Sequence, residues 1–301
     1  MVSDSQASSI ELPPLKDPTV PGRVTGKILV VDDDPELQVL IRAGLESDGH
    51  AVLQALDPGA GLEALNREVV DLVITDFMMP GMNGVEFLEQ LRGHHPDLKC
   101  IMMTGYGDPE AVVGALREHV ADFLRKPFTL TELRAAVEDA LALDSTPQIE
   151  VLSACPQWIE LRVPCRLSAV PILQKLLIQL KADLPAETRD EIALAFREML
   201  NNAIEYGCKL DPSKYVTVSY VRLKRAVIYG IKDPGEGFYP AQLEHAAFGN
   251  TSDDLLHHAA LREERGMRAG GFGLLITHKL VDEVIYNERR NEVIFVKYIN
   301  E

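Results

Sequence analysis

ILVVDDDP, residues 28–35, is a short apolar run that stops abruptly at three aspartates. Four apolar residues closed by carboxylates read as a strand buried on both faces, with its carboxyl end open to a ligand. The plan recurs at LVIT (72–75) before Asp76, at CIMM (100–103) before Thr104, and at FLR (123–125) before Lys126. Helical periodicity fills the intervals. This βαβ punctuation predicts a doubly wound, five-stranded parallel α/β sheet with helices on both faces. Such sheets gather their ligands beyond the carboxyl ends of the strands, so Asp32, Asp33, Asp34, Asp76, Thr104 and Lys126 should meet in one cleft.

Carboxylates that close together repel or protonate unless a cation offsets them, and Mg²⁺, a hard ion with oxygen ligands, fits that demand. A carboxylate nucleophile, a metal, a hydroxyl and an ammonium are what in-line phosphoryl transfer to an aspartate requires. Asp34 has a competing explanation, because Asp followed by Pro35 is also a helix N-cap.

Residues 1–25 are rich in Ser, Pro and Asp and read as a disordered or loosely docked arm. The first domain spans 26–143 and closes with an amphipathic helix from Leu130 to Leu143. DSTPQ (144–148) breaks the pattern, which gives a linker at 144–150 and a second domain at 151–301. There the predicted order is a strand at Trp158–Val163, helices at Val170–Lys181 and Glu187–Tyr206, and strands at 215–222 and 226–232. A helix at 273–281 and strands at 284–287 and 292–299 follow. The second domain is therefore expected to be an α+β sandwich, one mixed sheet covered by helices.

In the long helix, Ile192, Phe196, Met199 and Ala203 recur at helical spacing and should face the sheet. Glu198 and Asn202, four apart, share a polar face, where they could hold Mg²⁺, orient a nucleophile or simply be solvated. Asp233 opens DPGEGF, in which Gly235 and Gly237 allow close backbone approach to a ligand and Asp233 can accept from an exocyclic amine. GGFGLLITHKL (270–280) sets Gly270, Gly271 and Gly273 at a helix start, where free N–H groups suit phosphate.

Composition narrows the classes. With 30 basic against 46 acidic residues the net charge is −16, which argues against a nucleic-acid surface. No apolar run reaches the roughly 18 residues that span a bilayer, and the polar start lacks a signal-peptide plan, so a cytoplasmic protein is expected. Cys100, Cys155, Cys165 and Cys208 stand far apart without a CxxC spacing and are read as packing residues.

VVDDDP (30–35), DLVITDFMMPGMNG (71–84), MMTGYGD (102–108) and FLRKPF (123–128) together resemble the motifs of two-component receiver domains. That resemblance implies Asp76 as phosphoacceptor, and Mg²⁺ held by Asp32, Asp33, Asp76 and the Met78 backbone carbonyl. Thr104 and Lys126 would contact the phosphoryl oxygens, Phe123 would be an aromatic switch that turns inward on phosphorylation, although it reads equally as a core aromatic, and an upstream sensor histidine kinase would be the donor. EMLNNAIEYG (198–207), DPGEGF (233–238) and GGFGLLITHKL resemble the Bergerat-fold ATPases, the superfamily of gyrase and histidine kinases. ELRVPC (160–165) and GLLITHKLVDEVIYN (273–287) are closer to the anti-sigma factor serine kinases.

This second resemblance implies ATP as cofactor, with Glu198 as general base and Asn202 as Mg²⁺ ligand. Asn201 would replace Asn202 if the helix register differed by one. Asp233 would contact adenine, Gly235 and Gly237 would lie beside the base, and Gly271 and Gly273 beside the phosphates. Phe272 stands where a basic residue is common in that family, so Arg265 or Arg268 of the expected lid (about 240–270, with Phe248, Gly249, His257 and His258) would supply charge. Tyr206, where His is common, would be a packing residue. The implied function is a serine/threonine kinase acting on an anti-sigma factor antagonist, or a partner that also sequesters a sigma factor. A non-catalytic ATP-gated binding module and an atypical hybrid histidine kinase are the alternatives. Both resemblances are compatible with a homodimer.

Overall fold

The computed structural model describes residues 25–105, 109–155, 157–180, 184–237 and 273–299. The lid (with Phe248, Gly249, His257, His258, Arg265 and Arg268), Gly270, Gly271 and Phe272 lie outside the described residues.

The first half is the expected doubly wound sheet. Strands β1 (Lys27–Val31), β2 (Ala51–Ala55), β3 (Leu72–Asp76), β4 (Lys99–Thr104) and β5 (Asp122–Arg125) pair in parallel, in the order β2-β1-β3-β4-β5. Helices α1 (Pro35–Glu46), α2 (Pro58–Arg67), α3 (Gly84–Arg92) and α4 (Pro109–Arg117) make the crossovers, and α5 (Leu130–Ala142) follows β5. Ile28, Leu29, Val30 and Val31 are all fully buried, which is why this strand reads as a continuous apolar run. Local chemistry sets the helix starts. Asp34 caps α1 by accepting from the N–H groups of Glu36 and Leu37, and reciprocal capping boxes join Asn83 with Glu86 and Thr129 with Glu132.

The second half is a six-stranded sheet, β10-β11-β9-β8-β7-β6, made of β6 (Glu150–Cys155), β7 (Trp158–Pro164), β8 (Tyr215–Leu223), β9 (Ala226–Lys232), β10 (Glu283–Tyr286) and β11 (Glu292–Tyr298). The expected mixed sheet resolves into ladders that are all antiparallel among the described strands. Helix α7 (Ala186–Asn202) packs between α6 (Ala169–Leu180) and α8 (Gly273–Leu280), over β9. The four residues predicted to face the sheet are buried, and Phe196 meets Tyr229 of β9, which stacks on Phe295 of β11, with ring centroids 5.6 and 5.1 Å apart.

Four details depart from the sequence reading. Strand β6 begins at Glu150, so the second domain starts one strand earlier than its first obvious apolar run. The long helix ends at Asn202 and continues as a π-helical turn over Ala203–Gly207. Tyr206, expected to pack, leaves about half its surface exposed (51%), because the wider turn rotates it off the buried stripe. Cys165 and Cys208 are joined as a disulfide, with Cα atoms 6.1 Å apart across 43 residues, so they are not merely packing residues. The fold brings the end of β7 beside the end of the π turn, a proximity that linear spacing does not signal.

The two domains touch. Helix α6 packs on β5 and α4, β6 packs on α4, and Lys175 of α6 forms an ion pair with the buried Asp122 of β5.

Phe196 anchors the second core by joining α7 to the sheet. Phe196→Ala should therefore cost about 3–5 kcal/mol, read by urea denaturation. A loss below about 1 kcal/mol would place the anchor elsewhere.

Candidate functional site

Asp32 follows β1 and Asp76 ends β3, and these strands are hydrogen-bonded neighbours with Val31 opposite Thr75. Carboxylate oxygens of Asp32, Asp33 and Asp76 all lie within 4.8 Å of one another. Asp32 is fully buried and Asp76 is 6% exposed, whereas Asp33 is exposed. Lys126, carried in by β5, places Nζ 2.7 Å from Asp32 Oδ2 and 2.8 Å from Asp76 Oδ1. Its peptide bond to Pro127 is cis.

Burial pushes the Asp76 carboxyl above its ordinary pKa, against the lowering effect of Lys126. Burial also works against the Lys126 ammonium, but its hydrogen bonds to Asp32 and Asp76 outweigh it and hold its pKa above the usual value. Three carboxylates facing one ammonium remain undercompensated, and the donor set is all oxygen, so the cluster fits a hard divalent cation. Thr104 ends β4 with a buried hydroxyl that has no hydrogen-bond partner among the described residues. Thr104 follows Met103, which pairs with Asp76 of the neighbouring strand β3.

Asp34, the weaker member of the acidic run, is the helix cap and lies outside the metal-competent cluster. Met78 follows β3 with its side chain exposed. Phe123, which reads as a switch aromatic or as a core aromatic, lies inside, 3% exposed on β5 opposite Met102.

Sequence reasoning missed two supports of this cleft. Gln38 of α1 is buried, and its Nε2 donates to the carbonyls of Asp32 (2.7 Å) and Ala55 (2.5 Å), tying down the loop after β1. The available signal was a polar residue in the apolar stripe that continues with Ile41 and Leu45. Gly84 is the other, because a Cβ there would lie 2.3 Å from the Asp76 carbonyl oxygen.

A second cluster forms in the other domain. The first residue of α8, Gly273, sits against α7 so closely that a Cβ would meet Glu198 Oε2 at 3.1 Å and Asn202 Nδ2 at 3.4 Å. Glu198 and Asn202 thus converge on one helix N-terminus. Asn201 is buried on a different face, which favours the original register.

Asp233 follows β9, and its Oδ1 accepts from the Gly235 N–H at 2.8 Å. Burial raises the Asp233 pKa, partly offset by that donor. A Cβ on Gly207 would lie 2.3 Å from Asp233 Cγ, so the π turn abuts the Asp233 carboxyl directly. Gly237 has φ +81°, and a Cβ there would overlap the Arg289 carbonyl oxygen at 1.6 Å.

Residues 28–138 match the family described as response regulator receiver domain, and residues 165–297 match the histidine kinase-like ATPase domain. Transcriptional regulatory protein GlrR of Escherichia coli K12 is 35% identical over 147 residues, covering 47% of this chain and 33% of that protein. The DNA-binding transcriptional regulator NtrC of the same strain is 35% identical over 117 residues, covering 39% of this chain and 25% of its own length. The chain thus spans a third or less of these curated relatives. Among solved structures, a receiver domain protein from Clostridium thermocellum shows 36% identity, covering 38% of this chain and 93% of that one, at a TM-score of 0.36. The receiver domain of NtrX from Brucella abortus shows 34% identity, covering 38% and 97%, at 0.37. No helix among the described residues is long and apolar enough to cross a membrane.

The acidic cluster leads to a metal test. At ten times its Kd, Mg²⁺ should stabilise the chain by about 1.4 kcal/mol. Asp33→Ala should abolish the gain while leaving the metal-free melting curve close to wild type, since Asp33 is exposed. An equal Mg²⁺-dependent shift in both proteins would exclude Asp33 as a ligand.

Proposed function

We propose that this chain, in which a response regulator receiver domain is joined to a histidine kinase-like ATPase domain, is a signalling protein whose ATP-binding output is controlled by phosphorylation of Asp76. The output is a serine/threonine kinase activity on an anti-sigma factor antagonist, and the donor to Asp76 is a sensor histidine kinase. The observation that carries the reading is the domain contact. Helix α6 packs on β5, whose end delivers Lys126 to Asp76, and on α7, which carries Glu198 and Asn202. Two packed elements therefore separate the phosphoacceptor from the nucleotide residues.

In the receiver, an Asp76 oxygen attacks phosphorus as the donor's P–N bond breaks. Lys126 and the Thr104 hydroxyl then meet the new phosphoryl oxygens. In the ATPase domain, Asp233 accepts from the adenine amine, with Gly235 and Gly237 beside the base and Gly273 beside the phosphates. Gly271 belongs with Gly273 by its place in the sequence. Glu198 takes the proton from the acceptor hydroxyl as that oxygen bonds to the γ-phosphorus and ADP leaves. Asp32, Asp33, Asp76 and the Met78 carbonyl in one domain, and Asn202 in the other, would hold Mg²⁺, which would supply neutralisation of phosphate charge. The acidic balance of the chain fits protein partners better than nucleic acid.

Glu198→Gln should keep ATP binding and lose transfer by about 10²- to 10⁴-fold, as for removal of a general base. Asp233→Asn should instead weaken ATP binding in calorimetry, and equal affinities in the two variants would sink these assignments. A wild type that binds ATP and its partner but transfers nothing would make the output an ATP-gated binder.

Beryllofluoride at Asp76 should change transfer rate or partner affinity about 5- to 150-fold, the usual range of allosteric coupling. Lys175→Ala should shrink that change without altering beryllofluoride binding. An unchanged response in Lys175→Ala would remove the α6 contact from the coupling route.

A further inference from the structure

The turn that carries Asp233 is held from outside the site by the turn between β10 and β11. Asn291 Nδ2 donates to two carbonyls at once, Asp233 O at 3.0 Å and Gly235 O at 3.2 Å, while the Asp233 N–H donates to Asn291 O at 2.9 Å. Asn287 fixes the orientation of that amide. Its Nδ2 donates to Asn291 Oδ1 at 2.8 Å, and its own Oδ1 accepts from the Asn291 N–H at 3.1 Å. With its oxygen thus occupied, Asn291 points both amide hydrogens at the turn, and the flipped amide would set oxygen against two carbonyl oxygens. Gly237 completes the contact by lying against the Arg289 carbonyl, where no side chain would fit.

We propose that Asn291 is a positioning residue that sets adenine affinity and selectivity, by holding the Asp233–Gly237 turn so that the Asp233 carboxylate faces the base edge. The inference rests on the ATP reading given above. A carboxylate is an acceptor, so it pairs with the adenine amine and is repelled by the guanine carbonyl at the same position. That discrimination survives only while the carboxylate is fixed in direction. Gly207 backs Asp233 on one side and the Gly235 N–H holds Oδ1, but both leave the backbone of the turn free to shift. The two side-chain bonds from Asn291 add to the bond from the Asp233 N–H to the Asn291 carbonyl and restrain the carbonyl side of that backbone, which no other bond among the described residues is shown to hold.

Asn291→Asp keeps the shape, replaces a double donor by oxygen, and turns two attractions into repulsions. It should bind ATP roughly 10- to 100-fold more weakly, the equivalent of losing two hydrogen bonds, and its preference for ATP over GTP should fall. Calorimetry with Mg-ATP and Mg-GTP on the full chain reads both, beside a melting curve. A general loss of stability would weaken the two nucleotides alike, so the selectivity ratio isolates the positioning role. If Asn291→Asp does not fold, Asn287→Ser, which frees the Asn291 amide without touching the turn, should move affinity and selectivity in the same direction by less.

Wild type binding ATP, together with a folded variant that binds ATP equally well and with unchanged preference over GTP, would overturn this inference alone. Wild type binding no nucleotide would overturn the ATP reading and this inference with it.

Discussion

The receiver half depends on keeping negative charge in a place where water is scarce. Asp32 is fully buried and Asp76 nearly so, and burial raises the Asp76 pKa while Lys126 counters it. Lys126 bridges both, which fixes the position of β5 relative to β1 and β3. The rest of the cleft follows: Gln38 holds the loop after β1, Gly84 allows α3 to start against the Asp76 carbonyl, and Thr104 is left with an unused hydroxyl. The cleft is thus short of positive charge and furnished with a spare donor.

The ATPase half solves a different problem, the close approach of backbone segments. Gly207, Gly235, Gly237 and Gly273 each lie where a methyl group would strike a neighbouring atom within 3.1 Å, and those neighbours include the Asp233 and Glu198 carboxylates. Gly273 lets the start of α8 approach α7, Gly207 and Gly235 let the π turn meet the turn after β9, and Gly237 lets that turn meet the one between β10 and β11. Asn291 then supplies the direction that glycine cannot, because a residue without a side chain permits a conformation but does not select one.

Much of this was legible because it is local or periodic. Apolar runs ending in Asp32, Asp76, Thr104 and Lys126 disclosed both the sheet and the cleft, and the spacing of Ile192, Phe196, Met199 and Ala203 disclosed the buried face of α7. What escaped was set by pairing across distance. Strand β6 escaped because its residues are mostly half-exposed or exposed at a sheet edge and carry little apolar signal. The π turn, the Cys165–Cys208 bond and the Lys175–Asp122 pair arise from segments tens of residues apart or from subtle backbone winding.

The carboxylate of Asp122 serves two masters: Oδ1 accepts from the Phe123 N–H at 2.7 Å within the receiver, and Oδ2 meets Lys175 across the domain boundary. A receiver exchanged from another protein could reproduce every feature of the phosphorylation cleft and still leave Lys175 facing an unsuitable neighbour. The domain boundary is thus matched in charge at a position that is not among the residues of either cluster.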